Sequence, residues 1–349
     1  MERERMKVLA IIDQYNWAFD FCARGIQKYS RHFIDIIRYN EMIYKQEDIE
    51  AGRYDCLFFL NRSCYDALPE SLRRMVDQFQ NKCVGIRGGF PPWSCDLPIL
   101  NWKVGCVSKY TYNKLLEKKQ PRLFYCPNGV DTETFKPVKR PSTRFVVGWA
   151  GNPSQQAKRV WMLEKLSYPV LKQGNWGDFI KNKPRDEMVN FYKKIDVYVC
   201  TSDFEGMPQT ILESAATGLP IVSTAVGGVP DIIDEKWLVT IYPEEQVIKE
   251  INEKLVMLHK NAILRKSVGL DNLSRIQDKW GWNLIVKSYD TMFESDWVKE
   301  STTQKSLQHE KTRLEIDGAR PFKYMCFCGW GSDNEKDLKG HKEAEHGIT

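Results

Sequence analysis

The stretch that most constrains this chain runs from Ser202 to Asp231, SDFEGMPQTILESAATGLPIVSTAVGGVPD. An apolar run before it, Ile195 to Cys200, reads as a buried strand with Asp196 as its one charge. The turn SDFEGMP follows, and Pro208 suits the first position of a helix, where its missing N–H costs nothing. Ile211, Leu212, Ala215, Ala216 and Leu219 share one face at helical spacing, and Thr210, Glu213, Ser214 and Thr217 share the other. Gly218 and Pro220 end the helix, and IVSTAV reads as the next strand. Strand, turn, helix and strand make one step of an open parallel sheet. Ligands of such sheets sit at the carboxyl ends of the strands, where a helix N-terminus offers unpaired amides to an anion.

Glu205 and Glu213 flank that anion site. Their separation along the chain corresponds to about 12 Å at a helical rise of roughly 1.5 Å per residue. That is the scale of a nucleotide-sugar, with one carboxylate for the sugar hydroxyls, the helix end for the diphosphate and the other carboxylate for the ribose. Glu205 and Glu213 form an E-x7-E motif, and the words EGMPQTILESAATGLPIVST resemble the retaining family 4 glycosyltransferases. A second phrase, PNGVDTETFKP from Pro127 to Pro137, is similar to what members of that family carry between their two domains.

The rest of the chain is compatible with this resemblance. Its 349 residues suit two medium domains and an appendage. The formal charge of +5 is mildly basic, and no apolar run approaches the roughly eighteen residues that span a bilayer. The N-terminus has too short an apolar stretch for a signal peptide. Eight of the ten cysteines are scattered singly through the first 200 residues, which reads as reduced, mostly buried thiols in a cytoplasmic protein. A peripheral membrane location is the alternative. Val8 to Asp13, His32 to Tyr39, Cys56 to Asn61, Cys83 to Arg87, Val104 to Ser108 and Leu123 to Pro127 read as strands, and Trp17 to Tyr29 and Leu72 to Asn81 as helices. The second half opens with a strand, Arg144 to Trp149, then Gly151 and Asn152, then a helix within PSQQAKRVWMLEKL. An aromatic helix from Trp280 to Val298 closes this part.

The resemblance implies two doubly wound, Rossmann-like α/β domains of the GT-B type facing a cleft. Residues 1–137 would form the acceptor side and 138–298 the nucleotide-sugar side, with the last helix crossing back. The implied activity is hexosyl transfer from a nucleotide diphospho-sugar to an acceptor hydroxyl with retention, in glycan or polysaccharide synthesis. Gly151, Asn152, Lys158, Glu205, Gly206, Met207, Pro208, Gln209, Thr210 and Glu213 would hold the donor, and Glu205 and Lys158 would be catalytic. Lys158 would neutralise the departing diphosphate, with Arg159 its rival. Two departures stand out. Asn152 lies where relatives often place an arginine. Arg87 and Gly88 lie where many place a histidine on the acceptor side, and Arg87 either binds there or caps the sheet. No D-x-D pair occurs, so no catalytic metal is expected.

Residues 299–321 read as a polar linker. Beyond it, Cys326, Cys328, His341 and His346 have ligand types and spacing for tetrahedral zinc, and the tail resembles a Cys2His2, ββα-type zinc finger over 322–349. The cysteines are spaced C-x-C rather than C-x2-C. Four lysines against five acidic residues in this tail disfavour DNA. They favour a protein partner or self-association, beside a glycan, lipid or protein acceptor for the main body. Three further readings stay open: a nucleic-acid-modifying transferase docked by the finger, a nucleotide-sugar epimerase, and a non-catalytic scaffold.

Overall fold

Strands such as KVLAII, CLFF and VYVC are apolar at nearly every position, as parallel strands buried on both faces must be. A computed structural model describes residues 5–87, 102–137, 144–174 and 185–295, and the backbone of two short strands, Tyr324–Met325 and Gly331–Ser332. The first sheet holds β1 (Lys7–Ile12), β2 (Phe33–Arg38), β3 (Cys56–Phe59), β4 (Lys82–Ile86), β5 (Lys103–Cys106) and β6 (Leu123–Tyr125), in the order β2-β1-β3-β4-β5-β6. The second holds β7 (Val147–Ala150), β8 (Val170–Gln173), β9 (Val197–Cys200), β10 (Ile221–Thr224) and β11 (Leu238–Val239), in the order β11-β10-β9-β7-β8. Every pairing in both sheets is parallel, so the chain forms two parallel-sheet α/β domains. In the second sheet the chain passes from β7 outward to β8 and then returns to β9 on the other side. The crevice at that reversal is where such sheets bind ligands.

The helix after β9 runs Gln209–Ala216, with Pro208 as its N-cap. Both of its faces are buried, including Glu213, Ser214 and Thr217. A further helix, Ala262–Lys279, packs against it, with Asn272 Nδ2 donating to the Leu219 carbonyl at 2.9 Å, and Tyr192 covers Glu213. The hydroxyls of Ser214 and Thr217 are satisfied locally, donating to the Ile211 and Ser214 carbonyls at 3.0 and 2.8 Å.

The helix expected within residues 153–166 is instead two short 3-10 turns, Gln156–Lys158 and Val160–Lys165. Arg159 breaks them with a left-handed backbone, φ 45°. Its fully buried guanidinium explains the break. It donates to the carbonyls of Thr201 at 2.7 Å, Ser202 at 3.3 Å and Ile241 at 2.8 Å.

The last described helix, Trp282–Glu294, packs against the first domain's Ala18–Tyr29 helix. Glycines at 25 and 129 make room for the Trp282 ring, which a β-carbon at either position would overlap. Phe293 stacks edge-on against Phe58 of β3, with centroids 5.4 Å apart. Tyr289 donates to the Cys126 carbonyl at 2.8 Å. As a result one hydrophobic cluster runs continuously from Val8 to Phe293 through both domains. The seven described cysteines are all free and buried. Among the described residues no helix is long and apolar enough to cross a membrane. Strands Tyr324–Met325 and Gly331–Ser332 pair antiparallel. Cys326, Cys328, His341 and His346 lie outside the described residues.

Candidate active site

Two loops meet at the reversal point, one following β7 and the other following β9. The first carries Lys158 and the second carries Glu205. Lys158 Nζ lies 2.5 Å from Glu205 Oε1, with the two side chains 18% and 11% exposed. Ser202 donates its hydroxyl to the same oxygen at 2.7 Å. The loops are stitched together by Thr201 Oγ1 donating to the Lys158 carbonyl at 2.8 Å and by the Asp203 amide donating to the Ala157 carbonyl at 2.9 Å. Burial pulls the Lys158 ammonium down, but the Glu205 charge, Cys200 and the hydrogen bond to Glu205 together outweigh it, so its pKa is raised. Lys158 therefore stays a cation at neutral pH.

The adjacent cation has a different fate. All three Arg159 hydrogen bonds go to backbone carbonyls in the interior, and its guanidinium lies over the Tyr242 ring. Of the two, Lys158 is the one whose side chain meets Glu205.

Pro208 caps the 209–216 helix, whose first amides have no carbonyl one turn back to bond. The Pro208 carbonyl accepts from Ile211 at 3.2 Å and Leu212 at 3.4 Å, which leaves the Gln209 and Thr210 amides at the helix end. The buried Nε2 of Gln209 has no hydrogen-bond partner among the described residues. A donor of this kind at a helix N-terminus is suited to an anion. Glu213 lies deeper, 3% exposed, and its Oε2 accepts the Tyr192 hydroxyl at 2.9 Å.

Two glycines make the turn possible. A β-carbon at Gly206 would overlap the Arg87 carbonyl of the first domain. Gly227 adopts φ +54° against the Glu205 carbonyl, where any side chain would collide. The Met207 side chain is buried rather than lining the crevice. Its sulfur accepts the Asn128 amide at 3.2 Å, and its carbonyl accepts Asn128 Nδ2 at 2.9 Å. Asn152 Oδ1 accepts the Ser154 amide at 3.0 Å in a local turn, and Gly151 packs against the Trp149 ring.

On the first-domain side, the Arg87 side chain is buried. Its guanidinium is interior and donates to the Leu60 carbonyl at 2.8 Å, Asn128 Oδ1 at 2.5 Å and the Tyr289 hydroxyl at 3.0 Å. Gly88 lies outside the described residues. Sequence reasoning missed Ser202, Tyr192, Asn128 and Asp231. The first two carry no motif, and the others gain meaning only when the domains meet. The N-G turn at Asn128 was the one legible signal among them.

Residues 145–269 match the family of glycosyl transferases group 1. An uncharacterized glycosyltransferase of Methanocaldococcus jannaschii is 25% identical over 211 residues, 55% of this chain and 59% of that protein. The capsular polysaccharide biosynthesis glycosyltransferase CapM of Staphylococcus aureus is 26% identical over 113 residues, 32% of this chain and 29% of that protein. The chain thus spans less than two thirds of the length of these curated relatives. Among solved structures, a glycosyltransferase from Rickettsia africae superposes with a TM-score of 0.62 at 14% identity, covering 84% of this chain and all of that one. Anabaena HepE, solved in complex with UDP and glucose, gives a TM-score of 0.62 at 12% identity over the same shares. Residues 145–269, which carry Lys158 and Glu205, are thus similar in sequence to the group 1 glycosyl transferases, and the chain shares the fold of solved glycosyltransferases.

Proposed function

We propose that the chain is a retaining glycosyltransferase, moving a sugar from a nucleotide diphospho-sugar to an acceptor hydroxyl in glycan or polysaccharide synthesis. The observation that carries this reading is the Lys158–Glu205 pair, placed beside the free end of the 209–216 helix at the strand reversal. Residues 138–298 would form the donor side and residues 1–137 the acceptor side. A capsular polysaccharide transferase among the relatives supports the class of product, and the UDP and glucose in HepE put UDP-sugars first among donors.

In this reading the diphosphate replaces Glu205 as the partner of Lys158 and is further held by the Gln209 and Thr210 amides. Glu205, released from Lys158, holds the transferred sugar and stabilises positive charge at the anomeric carbon as its bond to phosphate oxygen breaks. Glu213, oriented by Tyr192, holds the ribose. The acceptor oxygen bonds to the anomeric carbon on the face the diphosphate leaves, and its proton passes to a departing phosphate oxygen. The products are a nucleoside diphosphate and a glycoside of unchanged configuration. No divalent ion has a step in this scheme. The tail's Cys326, Cys328, His341 and His346 would hold zinc in a docking module separate from the chemistry.

The test is nucleotide release from a panel of UDP-, GDP- and ADP-sugars in EDTA, beside Glu205→Ala. Release from one donor, reduced by about 10²–10³ in the variant, is the expected result. Neither release nor binding of any donor, with metal-replete protein as well, would overturn the assignment.

A further inference from the structure

Asp231 lies in the short helix Val229–Ile232 of the second domain, directly after Gly227 and Gly228. Its carboxylate accepts the Lys109 backbone amide at 2.9 Å and the Tyr125 hydroxyl at 3.2 Å, both from the first domain. Lys109 is the first residue of helix Lys109–Glu117, whose cap Ser108 accepts the Thr111 amide. Asp231 therefore places a carboxylate at a helix N-terminus across the domain boundary, where negative charge is favoured. The loop before it presses on the donor-side turn. The Gly228 amide donates to the Gly206 carbonyl at 2.6 Å, and a β-carbon at Gly228 would crowd both Met207 and Ser108. The 227–232 loop thus touches the turn carrying Glu205 through the Gly228 amide and the first domain through the Asp231 carboxylate.

We propose that Asp231 is a positioning residue that sets how tightly the two domains close over the donor. The consequence for turnover rests on the transferase reading above, whereas the closure itself rests on the contacts just described. Two titratable groups face the carboxyl, Lys109 on the 109–117 helix and Tyr125 on β6. Burial pushes the carboxyl up from 3.8 to about 6, against the Lys109 amide, the Lys109 charge and the Tyr125 hydroxyl, each of which pulls it down.

In an opened cleft the carboxyl meets water and returns toward its ordinary value. The closed form thus binds the proton more tightly than the open form. Closure is favoured as pH falls through about 6 and loses that support as pH rises past it. Two pKa units set a ceiling of about a hundredfold on the change in the closed-to-open ratio, and the residue's partial exposure keeps the effect below that. Donor capture needs the closed form and product release the open one, so a carboxylate of this kind balances the two.

The experiment follows the full chain from about pH 5 to about pH 8 by small-angle X-ray scattering and by hydrogen exchange at Lys109, corrected for intrinsic rates. The wild type should become more compact, and its Lys109 amide better protected, toward the acid end. D231N should stay compact across the range, because an amide can accept from Lys109 and donate to the Tyr125 oxygen without a charge. Y125F should move the transition to higher pH, since it removes a hydroxyl that holds the carboxyl's pKa down. In the donor assay D231N should lower KM and kcat together at neutral pH. A wild type whose compactness and protection do not change with pH, or a D231N that keeps the wild-type dependence, would overturn the proposal. Absence of turnover with every donor would count against the transferase reading alone, because scattering and exchange decide the closure without it.

Discussion

The two domains end central strands in cations put to opposite uses. At the end of β4, Arg87 turns inward and donates to a carbonyl, an amide oxygen and a phenol, none of them charged. In the loop after β7, Lys158 turns into the crevice and meets a carboxylate. A guanidinium can spread its N–H groups over several neutral acceptors in a fixed fork and so serve as a rivet. An ammonium beside a single carboxylate can exchange that partner for a phosphate. Arg159 repeats the Arg87 pattern one residue away from Lys158, so the contrast belongs to the side chains and their partners rather than to a particular loop.

Substitutions at the two cations would break the comparison if it is wrong. Lys158→Ala should lower kcat by about 10²–10³ while leaving the thermal midpoint near that of the wild type. An equal loss of stability would show that Lys158 is a rivet too. Arg87→Met should do the reverse. It removes one donor from each of the Leu60, Asn128 and Tyr289 oxygens, at a cost of about 2–4 kcal/mol in denaturant unfolding. Turnover per folded molecule should change far less.

Two smaller effects sharpen the boundary between the regions. Gly206→Ala drives a β-carbon into the Arg87 carbonyl. It should raise the donor KM by about tenfold and lower stability by about 1–3 kcal/mol as the domains move apart. Tyr192→Phe removes one hydrogen bond to Glu213 and should weaken nucleotide binding by about 1 kcal/mol, read by calorimetry with the free nucleoside diphosphate. No change in that titration would separate Glu213 from the ribose.

The same contrast explains what could be read in advance. The β9 strand, the turn and the 209–216 helix were legible because apolar periodicity and the Pro208 and Gly218 signals all act within one segment. The buried state of Glu213, Ser214 and Thr217 was not legible, because elements distant in sequence pack on this helix, among them Tyr192 against Glu213 and the 262–279 helix. The 3-10 break at Arg159 depends on carbonyls of Thr201, Ser202 and Ile241, which local propensity cannot see. Strand β8, VLKQ, escaped notice because it is short and half polar, as befits a sheet edge. Glu205 and Lys158 were singled out from motif and resemblance, yet their direct pairing was not foreseen. Asp231 was seen only as the end of a phrase, since its partners belong to the other domain.

The seat of Trp282 has a consequence for how the protein is made. The slot floored by Gly25 and Gly129 is filled by a residue that leaves the ribosome about 150 positions after the slot itself. Until then the face of β3 that receives Phe293 is also uncovered. The first domain emerges early but is sealed late, so a nascent chain stopped before residue 282 would present an apolar cleft to the chaperones waiting at the tunnel exit.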